Sequence, residues 1–386
     1  MPHTSENRTD VLVVGAGAIG LACAWRAAQR GLSVRVLERS TPGSGASGVA
    51  AGMLAPVGEA TWGEERILAM AQASHARWAG FAHELALESK RDIGYLDSGA
   101  LHVALDADEV GELGRRFELM QELGLEASWL RGREARELEP GVTPRCVGAV
   151  RAPHEAAVDA RAFVSALRVA AEAAGAEVQT ATEVTEGLLG EGRIEGVRTD
   201  NRHEHRAANV VLAAGAWSGE ARWLPPEARP PVRPVKGEIL TLRGRPGELP
   251  CRGTVVSEWV YVVPRSDGRL VVGATVGEQG FDTAVTAGAV LELLREGYRT
   301  LPDLVELELA EMMAGLRPGT PDNAPIVGRG TIDGLILATG HYRNGILLTP
   351  VTADAVVSLL EGDEPPPELE VARPDRFPVP SEVGAR

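Results

Sequence analysis

The chain has 386 residues, more than the ~250 to 300 that one hydrophobic core usually serves, so two domains are expected. Its formal net charge of −15 and pI near 5.1 disfavour nucleic acid and anionic membranes as partners, so an anionic substrate would need locally placed arginines. Three widely spaced cysteines show neither a CxxC nor a metal-ligand pattern, which favours a reducing cytoplasm.

The first element is a strand, tight turn and helix over residues 10–28. An apolar run breaks at Gly15, Gly17 and Gly20 and resumes at helical spacing. Glycines at this spacing allow a sharp turn, a close approach of backbone to a pyrophosphate, and tight helix–strand packing. Glu38 ends the next strand, 23 residues after Gly15, near the offset of a ribose-binding carboxylate. The pattern predicts dinucleotide binding, without separating FAD from NAD.

Residues 41–54 form a run of small residues that either packs against something flat and bulky or serves as a flexible Gly/Ser linker. Helices are predicted at 64–88, 106–123, 133–139 and 159–174, with short paired strands between 95 and 105. No segment is expected to cross a membrane, because the uncharged run 11–25 is shorter than the ~20 residues required.

The second half of the chain changes character twice. Strands are predicted at 177–184 and 193–198, and His203, Glu204 and His205 are interpreted as a hairpin edge rather than a metal site. Residues 209–215 predict a buried strand of the first sheet.

Alternating strands from 237 to 276 then indicate an antiparallel sheet, followed by a helix at 286–300 and a strand running into 314–317. The last unit is a strand at 334–339 with a helix opening at 341–348 and running to about 360. The Pro-rich tail after 365 is expected to lie loosely on the surface.

This order predicts an α/β fold with a discontinuous, doubly wound Rossmann-like domain and an inserted antiparallel-sheet substrate domain. The predicted divisions are 1–90, 146–225 and 318–364 for the nucleotide domain, 91–145 and 226–317 for the substrate domain, and 365–386 for the tail. A ligand crevice is expected between the two domains.

Several separated stretches together resemble one family. They are GAGAIG with Glu38, SGASGVAAGML, KGEILTL, YVVPR with GRLVVGAT, AGLRPGTPDNAPIVG and GHYRNGILLTP. The chain resembles the FAD-dependent D-amino acid oxidase superfamily and, within it, the glycine oxidases of thiamine biosynthesis. The resemblance covers the chain up to the Pro-rich tail and implies that FAD lies between the two domains.

The resemblance also implies which residues hold FAD without a covalent bond. The expected cofactor residues are Gly15, Gly17, Ala18, Ile19, Gly20, Glu38, Arg39, Ala46, Ser47, Ala51, Gly52, Met53, Val184, Gly215, Gly340, His341, Tyr342, Arg343, Asn344, Gly345, Ile346 and Leu347. A helix N-terminus near Asn344 and Gly345 would stabilise negative charge on the reduced flavin.

Three residues are expected to bind the substrate. By resemblance, Arg317 would clamp its carboxylate bidentately, Arg343 would lie near the same carboxylate, and Tyr261 would add a hydrogen bond. Each could instead be a structural ion pair or surface group. Trp259 and Val276 stand where the resemblance leads us to expect His and Met, and with Met53 they are expected to form the pocket wall.

The implied reaction oxidises glycine, sarcosine or small D-amino acids by hydride transfer to flavin N5. The products would be an imine or oxo-acid, ammonia and hydrogen peroxide, with O2 as acceptor and without a general base. Two alternatives remain: a D-amino acid or sarcosine dehydrogenase that uses another acceptor, and a flavin-binding subunit of a larger complex without its own activity. A homo-oligomer is possible.

Overall fold

A computed structural model describes residues 8–59 and 62–377, which form two sheets with helices packed on them. The strands are β1 (Arg8–Val14), β2 (Val34–Leu37), β3 (Met53–Leu54), β4 (Ala100–Ala104), β5 (Ser128–Arg131), β6 (Gly148–Ala152), β7 (Ala156–Ala157), β8 (Glu177–Gln179), β9 (Val184–Gly190), β10 (Arg193–Thr199), β11 (Glu204–Leu212), β12 (Arg233–Arg243), β13 (Thr254–Val256), β14 (Tyr261–Pro264), β15 (Arg269–Gly273), β16 (Glu308–Gly319), β17 (Ile326–Arg329) and β18 (Leu335–Thr339). The α-helices are α1 (Ala18–Gln29), α2 (Ala46–Val49), α3 (Glu65–Ser89), α4 (Ala107–Glu122), α5 (Gly132–Leu138), α6 (Ala160–Ala173), α7 (Ala287–Thr300) and α8 (Thr349–Glu361).

The first sheet has the parallel core order β18-β11-β1-β2-β8, with β17 antiparallel at one edge. Strand β11 pairs in parallel with both β1 and β18, so the chain returns to this sheet after each insertion. The hairpin β9–β10 continues it through an antiparallel pairing of β10 with β11. The predicted fold class is confirmed, because parallel strands from three separated stretches form one doubly wound sheet.

Helices α1, α3, α6 and α8 share one buried apolar cluster with strands of the first sheet. Within it, Trp25, Trp78, Phe81 and Phe163 stack edge to face or tilted, with ring centroids 5.1 to 6.2 Å apart. Each such contact stabilises by about 0.5 to 1.5 kcal/mol beyond the area it buries. This cluster packs the four helices against one face of the first sheet.

The second sheet has eight strands in the order β16-β12-β15-β14-β13-β4-β6-β5, and all neighbours are antiparallel except β13 and β4. Strand β6 pairs with β4 and β5. The predicted boundary at 145/146 therefore cuts the sheet too early, since residues 148–152 belong to the second sheet. The physical reason is that β6 pairs with β4, which is distant in sequence, and such pairing cannot be predicted from local sequence.

Two long strands connect the layers. Strands β12 and β16 pair along their whole lengths, from Arg243 with Glu308 to Arg233 with Gly319. The ends at Arg233 and Gly319 extend beyond the second sheet towards the first, where α2 packs against β16. The cavity described below lies at this junction.

The Pro-rich tail differs from the sequence expectation where the structure describes it. Two 3-10 helices, Pro367–Ala372 and Pro374–Arg376, follow the last α-helix. Leu369 and Ala372 are buried in the first apolar cluster, and Arg77 forms an ion pair with Glu368 across 3.0 Å. The segment up to residue 377 is therefore packed rather than loose, because proline disfavours regular helix without preventing burial. Residues 378–386 lie outside the described residues.

No helix within residues 8–59 and 62–377 is long and apolar enough to cross a membrane.

His205 lies buried in β11, and its Nδ1 is 3.4 Å from the Arg35 guanidinium. Burial, together with that guanidinium, lowers the pKa of His205. The described part of the chain contains no group of three or more His, Cys, Asp or Glu side chains arranged to hold a metal ion.

Candidate active site

One cavity of about 920 Å³ runs between the two sheets. Most of the predicted site residues line it: Gly15, Gly17, Ala18, Ile19, Glu38, Arg39, Ala46, Ser47, Ala51, Gly52, Met53, Val184, Gly215, Tyr261, Arg317, His341, Tyr342, Arg343, Asn344, Gly345 and Ile346. The predicted residues that do not line it are Gly20, Gly340, Leu347, Trp259 and Val276.

The glycine turn forms one end of the cavity. Gly15 has φ +105°, a left-handed conformation that glycine adopts without strain, and a Cβ on Gly20 would lie 2.0 Å from the Gly15 carbonyl oxygen. Helix α1 then begins at Ala18 behind Gly17, with no side-chain cap. The Ala18 N–H donates to Ser47 Oγ at 3.1 Å. Gly20 thus supports the turn by close packing and does not itself face the cavity.

Glu38 lies at the carboxyl end of β2, beside this turn. Its Oε2 accepts a hydrogen bond from the Ala16 N–H and its Oε1 accepts one from the Ser40 N–H, each at 2.9 Å. Two backbone donors therefore fix the carboxylate, and the remaining lone pairs can accept hydrogen bonds from hydroxyl groups.

Arg39 and Trp217 continue the same wall. The Arg39 guanidinium carbon lies 4.1 Å from the centroid of the Trp217 ring, and Phe281 stacks on that ring with centroids 5.7 Å apart. Trp217 and Phe281 were not predicted from the sequence. Neither position has a local motif, since the stack joins a 3-10 turn after β11 to a loop of the other sheet.

The small-residue run is fixed in place, so the linker interpretation is wrong. The Gly43 N–H donates to the Ala16 carbonyl at 2.9 Å, and the Val158 N–H donates to the Gly52 carbonyl at 2.8 Å. Arg265 donates to the Ala51 carbonyl from a buried position. These bonds hold the backbone of residues 43–53 against both layers, along the length of the cavity.

Arg317 lies at the opposite end of the cavity, on β16. Its Nη1 donates to the carbonyls of Lys236 at 3.3 Å and Thr275 at 3.1 Å. The side chain is half-buried, and no carboxylate of residues 8–59 or 62–377 lies within ion-pair distance of it. A guanidinium with its charge uncompensated at a cavity wall is suited to binding a carboxylate.

Tyr261 adjoins Arg317 at the start of β14. Burial raises the pKa of the Tyr261 hydroxyl, and the neighbouring Arg317 guanidinium offsets part of that rise. The phenol therefore stays protonated at neutral pH and can donate a hydrogen bond.

Arg343 lines the cavity but differs from Arg317 in its partners. Its Nε is 3.3 Å from Glu59 Oε2 and its Nη2 is 3.0 Å from Glu64 Oε2. Burial alone would lower the pKa of Arg343, but the two carboxylates raise it overall. The structural ion pair that the sequence analysis left open for Arg343 is therefore present, and its partner Glu59, also on the cavity wall, was missed.

The segment after β18 departs from the predicted helix. A 3-10 turn covers Tyr342–Asn344, and α8 starts at Thr349, so Asn344 and Gly345 are not its N-terminus. Pro350 explains the delay, because proline has no N–H to donate to Ile346. Tyr342 has φ +46°, which for a non-glycine residue costs energy that the surrounding contacts must supply.

His341 and Leu347 anchor this segment. His341 Nε2 is 3.0 Å from Thr352 Oγ1, and burial lowers the pKa of His341 to about 3, so the ring is neutral. The Leu347 carbonyl accepts hydrogen bonds from Ser74 Oγ and Trp78 Nε1. Gly340 has φ +75° and packs next to Thr320. Leu347 and Gly340 therefore support the cavity wall from behind.

The prediction that Trp259 and Val276 form the pocket wall is wrong. Trp259 lies in the turn between β13 and β14, and Val276 follows β15. Their side chains are 55% and 65% exposed, and neither lines the cavity. Strand alternation directs Tyr261 inward but does not extend into the turn that carries Trp259. Met53 does line the cavity.

Comparison with known proteins assigns the family. A family model described as FAD dependent oxidoreductase matches residues 10–359. The chain belongs to this family. It is an oxidoreductase with FAD as cofactor, and the resemblance found from the sequence motifs is confirmed.

Proteins similar to this chain carry more specific names. The glycine oxidase of Geobacillus kaustophilus is 35% identical over 374 residues, which cover 93% of this chain and 94% of that protein. A solved structure of glycine oxidase from the same organism has a TM-score of 0.89 and 34% identity, and covers 96% of this chain and 100% of that chain. The bifunctional protein ThiO/ThiG of Synechocystis is 34% identical over 96% of this chain, which spans 54% of that relative.

The cavity fits FAD. Its turn end offers backbone without side chains at Gly15 and Gly17, and a Cβ on Gly17 would approach Ser47 Oγ to 3.2 Å. Its wall presents the Glu38 carboxylate at the end of β2, where a dinucleotide ribose is bound in this fold. Cys23, Cys146 and Cys251 are buried and do not line the cavity.

Proposed function

We propose that this protein oxidises glycine and related small amines, such as sarcosine and small D-amino acids, with O2 as electron acceptor. The observation that carries the proposal is Arg317, a cavity-facing guanidinium with no carboxylate partner among the described residues. The similar chains named glycine oxidase support the same substrate class.

We infer that different parts of the cavity bind different parts of FAD. The turn at Gly15–Ile19 would hold the pyrophosphate, Glu38 the adenosine ribose and Val184 the adenine. The backbone of residues 51–53 and 341–346 would lie against the flavin. A non-covalent cofactor agrees with the absence of cysteine from the cavity wall.

Arg317 and Tyr261 would orient the substrate. A bidentate contact from Arg317 to the carboxylate and a hydrogen bond from the Tyr261 hydroxyl leave the Cα–H and the amine with one orientation. Met53 then limits the space for a side chain. No protein carboxylate or imidazole is assigned the role of base, and the buried neutral His341 is hydrogen-bonded to Thr352.

FAD, when bound, supplies the two-electron acceptor and passes the electrons to O2. The overall balance for glycine is glycine, O2 and water giving glyoxylate, ammonia and hydrogen peroxide. We propose that the imine formed before hydrolysis serves the thiazole of thiamine, in a cytoplasmic enzyme that forms homo-oligomers. The similarity to proteins named ThiO/ThiG supports this use of the product.

An aerobic panel of glycine, sarcosine, D-alanine and D-proline tests the proposal by hydrogen peroxide release. Glycine-dependent peroxide is expected. Amine-dependent reduction of a dye without peroxide in air would indicate a dehydrogenase, and no reaction with any of the four amines would contradict the proposal.

The Arg317→Ala variant tests the carboxylate clamp. It should lose roughly 3 kcal/mol of carboxylate binding, on the order of a hundredfold in kcat/KM. Arg243→Ala is the matched control, because Arg243 is exposed at the far end of the neighbouring strand. A near-normal kcat/KM for Arg317→Ala would show that Arg317 does not bind the substrate carboxylate.

A further inference from the structure

Lys236 is a charged side chain that the proposed chemistry does not use. It lies on β12 with only 1% of its surface exposed, whereas Lys90, the other lysine of the chain, is exposed. Its ammonium donates to Gln279 Oε1 at 3.0 Å, to Asp282 Oδ2 at 2.8 Å and to the Ala284 carbonyl. All three N–H groups are thus satisfied, as a buried ammonium requires, and every acceptor belongs to one segment.

That segment, residues 275–286, is called the strap here. Glu238, two residues after Lys236 and on the same face of β12, holds both of its ends. Its Oε2 accepts from Thr275 Oγ1 at 2.8 Å, and its Oε1 accepts from the Thr286 N–H at 2.8 Å. Residues 278–284 of the strap are exposed, so these polar contacts replace a hydrophobic core in fixing it.

The strap contacts both ends of the cavity. Its first residue, Thr275, accepts a hydrogen bond from Arg317 Nη1 through its carbonyl, and the Lys236 carbonyl accepts from the same nitrogen. Further along, Phe281 stacks on Trp217 at an interplanar angle of 29°, and Thr283 lines the cavity. One exposed segment therefore contacts the guanidinium at one end and the aromatic wall beside Arg39 at the other.

We propose that Lys236 is a positioning residue that holds the strap closed and so couples FAD binding to the geometry of Arg317. The ammonium fixes the middle of the strap, which places Phe281 on Trp217 and the Thr275 carbonyl on Arg317 together. Loss of this anchor weakens both sites at once, although Lys236 does not line the cavity. The part that concerns the substrate carboxylate rests on the proposed function, whereas the part that concerns FAD does not.

Lysine modification of the holoenzyme tests the closed strap directly, because the chain has two lysines with opposite exposure. Reductive methylation followed by peptide mass analysis should label Lys90 rapidly and Lys236 slowly, and removal of FAD should speed labelling of Lys236 alone. Equal labelling rates for the two lysines in the holoenzyme would overturn the proposal.

Phe281→Ala tests the coupling without disturbing the core, since Phe281 is 41% exposed. It should weaken FAD binding to the apoprotein by about tenfold, the worth of one aromatic stack, and speed Lys236 labelling. Val276→Ala, an exposed change within the same strap, is the matched control and should alter neither. If Phe281→Ala leaves both FAD affinity and labelling unchanged, the coupling is absent.

Lys236→Met keeps an unbranched side chain, one atom shorter, and removes its charge. It should weaken FAD binding and raise the glycine KM, each by about tenfold, with kcat within about twofold, while Lys90→Met changes nothing. FAD affinity and lysine labelling can be measured without turnover. If the protein does not oxidise glycine but the variants change FAD affinity and Lys236 labelling as expected, the proposed function is refuted and the role of Lys236 in holding the strap stands. An unchanged FAD affinity in Lys236→Met would refute the proposal that Lys236 couples the strap to FAD binding.

Discussion

The substitution Gly237→Ala provides a specific test of the carboxylate site. A Cβ on Gly237 would lie 2.3 Å from Arg317 Nη1 and 2.4 Å from Nη2, more than 1 Å inside van der Waals contact. The neighbour is the end of a flexible side chain, so the guanidinium should move by about 1 Å while the backbone of β12 stays in place. A displacement of that size in a positioning group costs on the order of a hundredfold in rate.

The expected result is a fall of about a hundredfold in kcat/KM for glycine, with thermal stability within about 1 kcal/mol of the wild type. Steady-state peroxide kinetics and thermal denaturation measure the two properties. Gly80→Ala is the matched control, because a Cβ there meets nothing within 4 Å and should stabilise α3 slightly. If Gly237→Ala keeps wild-type kcat/KM, Arg317 does not position the substrate as argued.

Three further predictions follow from the cavity. Glu38→Gln should weaken FAD binding by about ten- to a hundredfold, because hydrogen bonds to an ionised carboxylate are worth about 1.5 to 3 kcal/mol, and flavin fluorescence during reconstitution measures this. The pKa of His341 in the folded chain, about 3, lies below its ordinary value of 6.5, so its contribution to stability is complete above pH 6.5 and is lost as the pH falls towards 3. Between pH 7.5 and 5.5 the wild type should therefore lose about 1 kcal/mol more than His341→Gln, and equal losses in chemical denaturation would contradict this. Trp259→His and Val276→Met should change the ratios of kcat/KM among the four amines by no more than about twofold, because both side chains are exposed outside the cavity. A larger change would show that these side chains do form part of the pocket wall.

Local sequence predicted the parts of the site that local backbone chemistry determines. The turn at Gly15–Gly20 needs glycines at fixed spacing, and Asp159, at the predicted start of a helix, accepts hydrogen bonds from the Arg161 and Ala162 N–H groups at the start of α6. Helices with clear amphipathic spacing began and ended within about two residues of their predicted limits.

The parts that sequence did not predict depend on contacts between distant segments. Strands β5 and β6 are short and become strands because β6 pairs with β4 and β5 pairs with β6, and the Trp217–Phe281 stack joins residues of different layers. Arg343 was expected at the substrate because its motif is shared with the family, but its partners Glu59 and Glu64 lie far away in sequence. Partner identity at such positions is a property of the fold rather than of the motif.

We propose above that one cavity holds FAD and presents an amino acid carboxylate to Arg317 beside it. The most direct measurement is anaerobic addition of glycine to the purified yellow holoenzyme. We expect that the visible flavin absorbance bleaches, that air restores it with one hydrogen peroxide per glycine oxidised, and that Arg317→Ala bleaches far more slowly. A flavin that glycine, sarcosine, D-alanine and D-proline all leave oxidised would contradict this proposal.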